Sequence, residues 1–273
     1  MTNAPSSLSN DEAIALAEFA CTLAHAAADV TLKHFRSELG VDNKLDGSDF
    51  DPVTIADRDA ETAIRALIEN HYPDHGILGE EHGEKAGTSP FKWVLDPIDG
   101  TRSFISGVPL WGTLIALNDG EYPVVGVMDQ PYTGERFVGR PGHAEFLRDG
   151  QQKKLSTRSC AILSDAILGC TDPAMFVEAG ELEAFTDVRN KARLTRYGTD
   201  CYFYCLIAAG HADLVIEASM QPYDIQALIP IVEGAGGIVT NWHGGDAQNG
   251  GRIIAAGDKR VHAEALTILS RLD

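Results

Sequence analysis

The chain has 273 residues, 44% of them apolar, and a formal net charge of −18. That length supports a large buried core. The acidic balance excludes a nucleic-acid backbone as an expected partner, because phosphate binding needs clustered Lys and Arg. No uninterrupted apolar run reaches bilayer-spanning length, and the N-terminus lacks a basic start with an isolated apolar core, so neither a membrane nor a secretion signal is expected.

In chain order, a short loose tail leads to "SNDEA", a capping residue and early acids that predict a helix start. Ala, Leu and Phe recur at helical spacing over 11–38. "RSELGVDNKLDGSDFD" has few apolar residues and predicts a mobile loop or weak hairpin. "PVTIADRDAETAIRALIENHYP" predicts a second helix, with Ile55, Ala63, Ile64, Leu67 and Ile68 on one face. "HGILGEEHG" and "FKWVLDPIDG" predict strands that end in acids. From 110 to about 155, apolar runs alternate with turn residues, predicting a meander of strands. Further on, "AILGC", "ARLTRYG" and "ADLVIEA" predict strands. "DCYFYCLIAAG" predicts a helix, and "DIQALIPIVEGAGG" another that ends at Gly236–Gly237. No repeat or low-complexity linker separates the halves 1–155 and 156–273, which are expected to pack as one unit.

Five cysteines, odd in number and irregularly spaced, predict free thiols in a reducing cytoplasm. Cys201 and Cys205 stand one helical turn apart with no second pair to complete a zinc site, and are expected to be small core residues. The histidines are assigned no catalytic role. His82 is expected near the site entrance, and His75, His143, His211 and His243 at the surface. Trp111 and Phe104 are expected to pack.

Acids stand at the ends of apolar elements in four places: Asp57, Glu80–Glu81, Asp96/Asp99 and Asp224. Each alone has a plain explanation. Asp224 precedes a helix and fits a cap, and Glu81 fits a solvated loop. Together they point to a cation site, since converging carboxylates repel unless protonated or bridged. Oxygen donors without His suit hard divalent ions, magnesium above all. Pro97 interrupts the strand and would bend it, so that Asp96, the Ile98 carbonyl and Asp99 face one volume. Gly100 allows close backbone approach, and Thr101 opens a helix whose free N–H groups suit an anion. Ligands for a metal beside a cradle for an anion outline a phosphate-ester site.

"GEE" at 79–81, "DPIDGT" at 96–101 and "PYD" followed by "EGAGG" within 222–237 resemble the inositol monophosphatase family of magnesium-dependent, lithium-sensitive phosphatases. The resemblance runs from about Ala13 to the C-terminus. It implies an α-β-α-β-α sandwich with the site between the halves, and a homodimer. Residues 1–155 would carry most metal ligands, and 156–273 the last ligand and the substrate-selecting residues. Glu80, Asp96 and the Ile98 carbonyl would hold a first Mg2+, and Asp96, Asp99 and Asp224 a second. Glu80 would share a weaker third ion, and Mn2+ would substitute. Thr101, hydrogen-bonded to Asp57, would orient and deprotonate the attacking water, with Glu80 counted among the catalytic groups. Asp99, Gly100, Thr101, Arg102, Ser103, Asp200, Glu217 and Asp224 would meet the substrate, a small phosphorylated metabolite. Tyr223 and Arg102 stand where the family often has Trp and Thr.

Asp200 stands where the family has a small residue near the substrate alcohol, and Glu217 at a second substrate position. Two acids there favour a cationic leaving group. With "GTDCY" and "PYD" the chain resembles the histidinol-phosphatase branch. Inositol or sugar monophosphatase activity is the alternative, and a phosphoadenosine phosphate phosphatase a weaker one. A metal-binding regulator without catalysis would be a non-enzyme reading. Asp200 also fits a helix N-cap, and Glu217 a solvated acid at a strand end.

Overall fold

The first helix begins where the sequence offers a cap. Ser9 and Glu12 form a capping box: the Glu12 N–H donates to Ser9 Oγ at 3.3 Å, and the Ser9 N–H donates to Glu12 Oε2 at 2.9 Å. In the computed structural model, which describes residues 8–37, 41–43 and 52–272, this helix is α1 (Asn10–His34). It ends four residues before its expected limit, because Phe35 is extended and Arg36 is left-handed at φ +61°. The tail at 1–7 and most of the expected loop lie outside the described residues. The ends of that loop pair as antiparallel strands β1 (Val41–Asn43) and β2 (Pro52–Thr54). Thr54 then caps α2 (Ile55–His71).

Three strands and one helix surround the quoted acids: β3 (Gly76–Gly79), β4 (Gly83–Lys85), β5 (Lys92–Asp99) and α3 (Thr101–Ile105). The expected meander follows as β6 (Gly112–Asn118), β7 (Pro123–Gln130), β8 (Glu135–Arg140), β9 (His143–Arg148) and β10 (Gln151–Lys154). These make one eight-stranded sheet, ordered β10-β9-β8-β7-β6-β5-β3-β4 and antiparallel except for β3 beside β5. The second half supplies β11 (Ile167–Cys170), α4 (Glu181–Arg189), β12 (Leu194–Tyr197), α5 (Tyr202–Ala208) and β13 (Leu214–Met220). It continues with α6 (Pro222–Ile225), α7 (Leu228–Gly234), β14 (Ile238–Asn241), β15 (Gly251–Ala256) and α8 (Lys259–Leu269). Its five strands form a mixed sheet in the order β12-β11-β13-β15-β14.

The single helix expected over "DIQALIPIVEGAGG" is two. Pro230 has no N–H to give to the carbonyl of Gln226, so the chain breaks there and α7 restarts with Pro230 in its first turn. Pattern alone leaves α4, α8, β14 and β15 unassigned.

Period-2 alternation builds the layers. Trp93 and Leu95 of β5 and Ile115 and Leu117 of β6 join Leu23, Ile64 and Ile68 of α1 and α2 in one core. Val94, Leu114 and Ala116 point the other way, into a second core with α5 and α7. A third core lies under α4 and α8, beyond the small sheet. The result is an α-β-α-β-α sandwich, as the resemblance implies. By length and composition α1 is the one helix among the described residues able to cross a bilayer, which the search for unbroken apolar runs does not register. Ala20, Leu23, Ala24 and Ala27 are instead sealed against the large sheet. All five cysteines are free thiols. His75, expected at the surface, is buried and accepts from Trp93 Nε1 at 3.1 Å. Trp111 and Phe104 pack edge to face in the interior.

Candidate active site

Asp96 and Asp99 are three residues apart, which in a regular strand puts them on opposite faces. The register corrects this. Asp96 pairs with Leu114 and Asp99 with Gly112, so Pro97 and Ile98 together oppose Thr113 alone. This is a β-bulge, and it brings both acids to one face. Pro97 has no N–H for the ladder, and its carbonyl accepts from Thr113 Oγ1 at 2.8 Å. Ile98 turns to the opposite side, into a cluster with Phe35, Ala56, Phe104 and Trp111. Its N–H donates to Asp96 Oδ1 at 3.0 Å.

Asp224 arrives from the other half of the chain, on α6. It does not precede its helix as expected but stands at the third position of α6, where its Oδ2 accepts from the N–H of the capping residue Gln221 at 2.7 Å. It is also a member of the cluster: oxygens of Asp96, Asp99 and Asp224 lie within 4.8 Å of one another. Burial pushes the Asp96 carboxyl well above the carboxylate range, and the charges of Glu80, Asp99 and Asp224 push it further. Burial likewise raises Asp99, followed by the charges of Asp200 and Asp224. Three oxygen donors with unbalanced negative charge fit a hard cation, and Glu80 is near enough to Asp96 to raise its carboxyl by charge and by a hydrogen bond.

Glu80 sits in the turn between β3 and β4, and sequence reasoning missed what holds that turn. Glu61 of α2 is fully buried. Its Oε2 accepts from the Glu81 N–H at 2.8 Å and its Oε1 from the His82 N–H at 3.2 Å. Arg65 Nε donates to the same carboxylate at 2.6 Å, and the guanidinium also donates to the Gly83 carbonyl. Gly79 makes the approach possible, since a Cβ there would lie 1.9 Å from Glu61 Oε1. In sequence Glu61 and Arg65 read as an ordinary i,i+4 pair; the signal was the acid's place on the apolar face of α2. His82, expected at the entrance, lies against α2, with Nε2 3.1 Å from Thr62 Oγ1 and from the Arg58 carbonyl.

Asp57 is buried, and its Oδ2 accepts from the Thr54 N–H at 2.9 Å and the Thr54 hydroxyl at 2.6 Å. Burial raises its carboxyl and the Thr54 bonds oppose that rise. The expected Thr101–Asp57 hydrogen bond is absent among the described residues: Thr101 Oγ1 donates to the Ile98 carbonyl at 3.1 Å instead. Gly100 is left-handed at φ +80°, and a Cβ there would lie 3.0 Å from Asp200 Cγ. Glycine is therefore required twice over.

Asp200 does not cap α5. It is itself left-handed at φ +42°, and its Oδ2 accepts from Ser103 Oγ at 2.8 Å. Burial raises its carboxyl, while Ser103 and the exposed Arg102 oppose this. Asp99 takes the helix start instead, its Oδ2 accepting from the Cys201 N–H at 2.8 Å. Glu217 is not a solvated strand-end acid. It is 2% exposed, its Oε1 accepts from the Thr171 N–H and hydroxyl, and its Oε2 accepts from the Tyr204 hydroxyl. Both oxygens are thus engaged inside the protein.

The geometry brings three carboxylates, from both halves of the chain, together beside a glycine turn. A model of the inositol monophosphatase family matches residues 13–272. The chain is 43% identical to the bifunctional phosphatase IMPL2, chloroplastic, of Arabidopsis thaliana, over 97% of this chain and 78% of that protein. It is 37% identical to a histidinol-phosphatase of Chlorobaculum parvum, over 83% of this chain and 86% of that one. A solved inositol monophosphatase from Zymomonas mobilis superposes with a TM-score of 0.82 at 43% identity, covering 94% of this chain and 98% of that one. With its sequence matched nearly end to end and its acids gathered as described, this chain belongs to the inositol monophosphatase family and is a phosphoric monoester hydrolase.

Proposed function

We propose that the chain is a magnesium-dependent histidinol-phosphate phosphatase of histidine biosynthesis. The observation that carries the catalytic part is the convergence of Asp96, Asp99 and Asp224 within 4.8 Å. Glu80, Asp96 and the Ile98 carbonyl would hold one Mg2+ or Mn2+, and Asp96, Asp99 and Asp224 another. Bound there, such ions act as Lewis acids, bringing water towards ionisation near neutral pH and balancing phosphate charge. Gly100 and Thr101 would give backbone N–H groups to the phosphate. The Thr101 hydroxyl and Asp57, whose Oδ2 is held by Thr54, would take up the proton of the attacking water.

The substrate reading rests on Asp200. It lies against Gly100 and beside Asp99, and adds negative charge where the leaving alcohol would sit. Histidinol phosphate offers an amine and an imidazole to that charge. Relatives named histidinol-phosphatase, at 35 to 37% identity, support it. Inositol monophosphatase activity is the second reading, favoured by the likeness to the Zymomonas mobilis enzyme. The reading includes a catalytic unit formed by halves 1–155 and 156–273 moving together, a homodimer, and a cytoplasmic location. Phosphate release from histidinol phosphate and myo-inositol 1-phosphate, compared in the presence of Mg2+, tests the substrate. Faster hydrolysis of the inositol ester would reverse the order of the two readings.

A further inference from the structure

Asp99 and Gly112 face each other across β5 and β6. Behind that pair stands Cys201, 2% exposed, at the start of α5. A Cβ at Gly112 would lie 3.0 Å from Cys201 Sγ and 3.1 Å from Met128 Sδ. The thiol therefore occupies the space a side chain at Gly112 would need. The Cys201 N–H donates to Asp99 Oδ2 at 2.8 Å, so the start of α5 holds a carboxylate whose oxygen also lies within 4.8 Å of Asp96 and Asp224. The preceding turn is fixed by the left-handed Asp200 and by the bond from Ser103 Oγ to Asp200 Oδ2. A residue of the second half is thus wedged between a carboxylate of the first half and the strand beside it.

We propose that Cys201 is a positioning residue for Asp99, its thiol acting as a spacer against Gly112 that sets the angle at which the carboxyl meets a cation. This rests on the reading of Asp99 as a metal ligand. Cys201 and Cys205 both lie in the core, and it is Cys201 whose N–H meets Asp99. Outer-shell groups of this kind tune metal affinity without touching the metal. Sulfur suits the slot because it is small, polarizable and weakly hydrated.

The test is Mn2+ affinity of the full chain, read by electron paramagnetic resonance of free Mn2+. Gly112→Ala crowds the thiol and is expected to weaken binding about 10-fold. Adding Cys201→Ala to it removes the nearer of the two crowding sulfurs, leaving only Met128 Sδ, and should restore affinity to within about threefold of wild type. If Gly112→Ala fails to fold, Cys201→Val supplies the crowding from the other side, with the same expected 10-fold loss. Thermal unfolding of each variant separates the two roles, since a merely structural cysteine would move the melting midpoint and leave Mn2+ affinity alone. A double variant as weak as Gly112→Ala, or crowded variants that bind like wild type, would overturn the proposal. A wild-type chain that binds no Mn2+ would overturn the metal reading and this proposal with it.

Discussion

Asp96 and Asp99 ride on a central strand, whereas Asp200 rides on a left-handed turn between elements. The strand acids are fixed by ladder register, a proline bulge and the Ile98 N–H. The turn acid is fixed by one hydroxyl, Ser103, and by the glycine it leans on. The difference separates two tasks. Carboxylates proposed to share a cation at short mutual distance are built into the sheet, where a small displacement costs packing. The group proposed to choose among leaving alcohols would sit instead on a connection between elements.

Substitutions on the two sides should therefore behave differently. The largest effect is expected on the strand. Asp99→Asn removes a cation ligand and should lower kcat by about 1000-fold or more, a loss of roughly 4 kcal/mol. Steady-state assays across a Mg2+ titration check this, and near-normal activity would place the chemistry elsewhere. Next is the support behind Glu80. Glu61→Gln leaves the turn with a weaker acceptor and Arg65 without its counter-charge, and should raise the Mg2+ needed for half-maximal activity about 10- to 100-fold. On the turn the effect should be selective. Asp200→Ala should cut kcat/KM for histidinol phosphate about 10-fold, near 1.4 kcal/mol, while sparing an uncharged ester. Equal losses for both esters would remove the charge-reading role. Smallest is Glu81→Ala, expected to stay within about threefold, because Glu81 meets Glu61 through its backbone N–H rather than through its carboxyl.

The same comparison has a pH signature. Asp96 and Asp99 hold protons more tightly folded than unfolded. Their contribution to the stability of the metal-free protein is therefore greatest in acid and is lost as pH rises from the ordinary carboxylate range through their raised values. Mg2+ should reverse this above that window. Melting midpoints measured with and without Mg2+ should differ most near pH 7.5 and converge near pH 4, where protons displace the cation. A Mg2+ effect independent of pH would argue against a shared carboxylate site.

What the sequence disclosed follows the same division. The strand acids were legible because "VLDPIDGT" joins an apolar run, a ladder-breaking proline and a glycine in eight residues, and each has one physical meaning there. Pro97 was read as a bend; the register adds that the bend is a bulge moving Asp99 across the sheet. The turn was less legible. Asp200 fits a cap by residue preference, but it is left-handed, its carboxyl takes the Ser103 hydroxyl, and Asp99 meets the helix start instead. For Glu217, read as a substrate position with an exposed strand end as the alternative, the pattern hides its partners Thr171 and Tyr204, which are 46 and 13 residues away. Glu61 escaped notice for a similar reason: its backbone partners lie 20 and 21 residues on. Local pattern reveals groups whose partners are local, and long-range pairing stays hidden until the layers assemble.

The central claim is that carboxylates from both halves of the chain share divalent cations. Its most direct test is anomalous scattering from crystals grown with Mn2+. The account predicts peaks within coordination distance of Asp96, with Asp99 and Asp224 sharing one ion and Glu80 another. Ordered Asp96, Asp99 and Asp224 side chains with no anomalous density among them at saturating Mn2+ would contradict it.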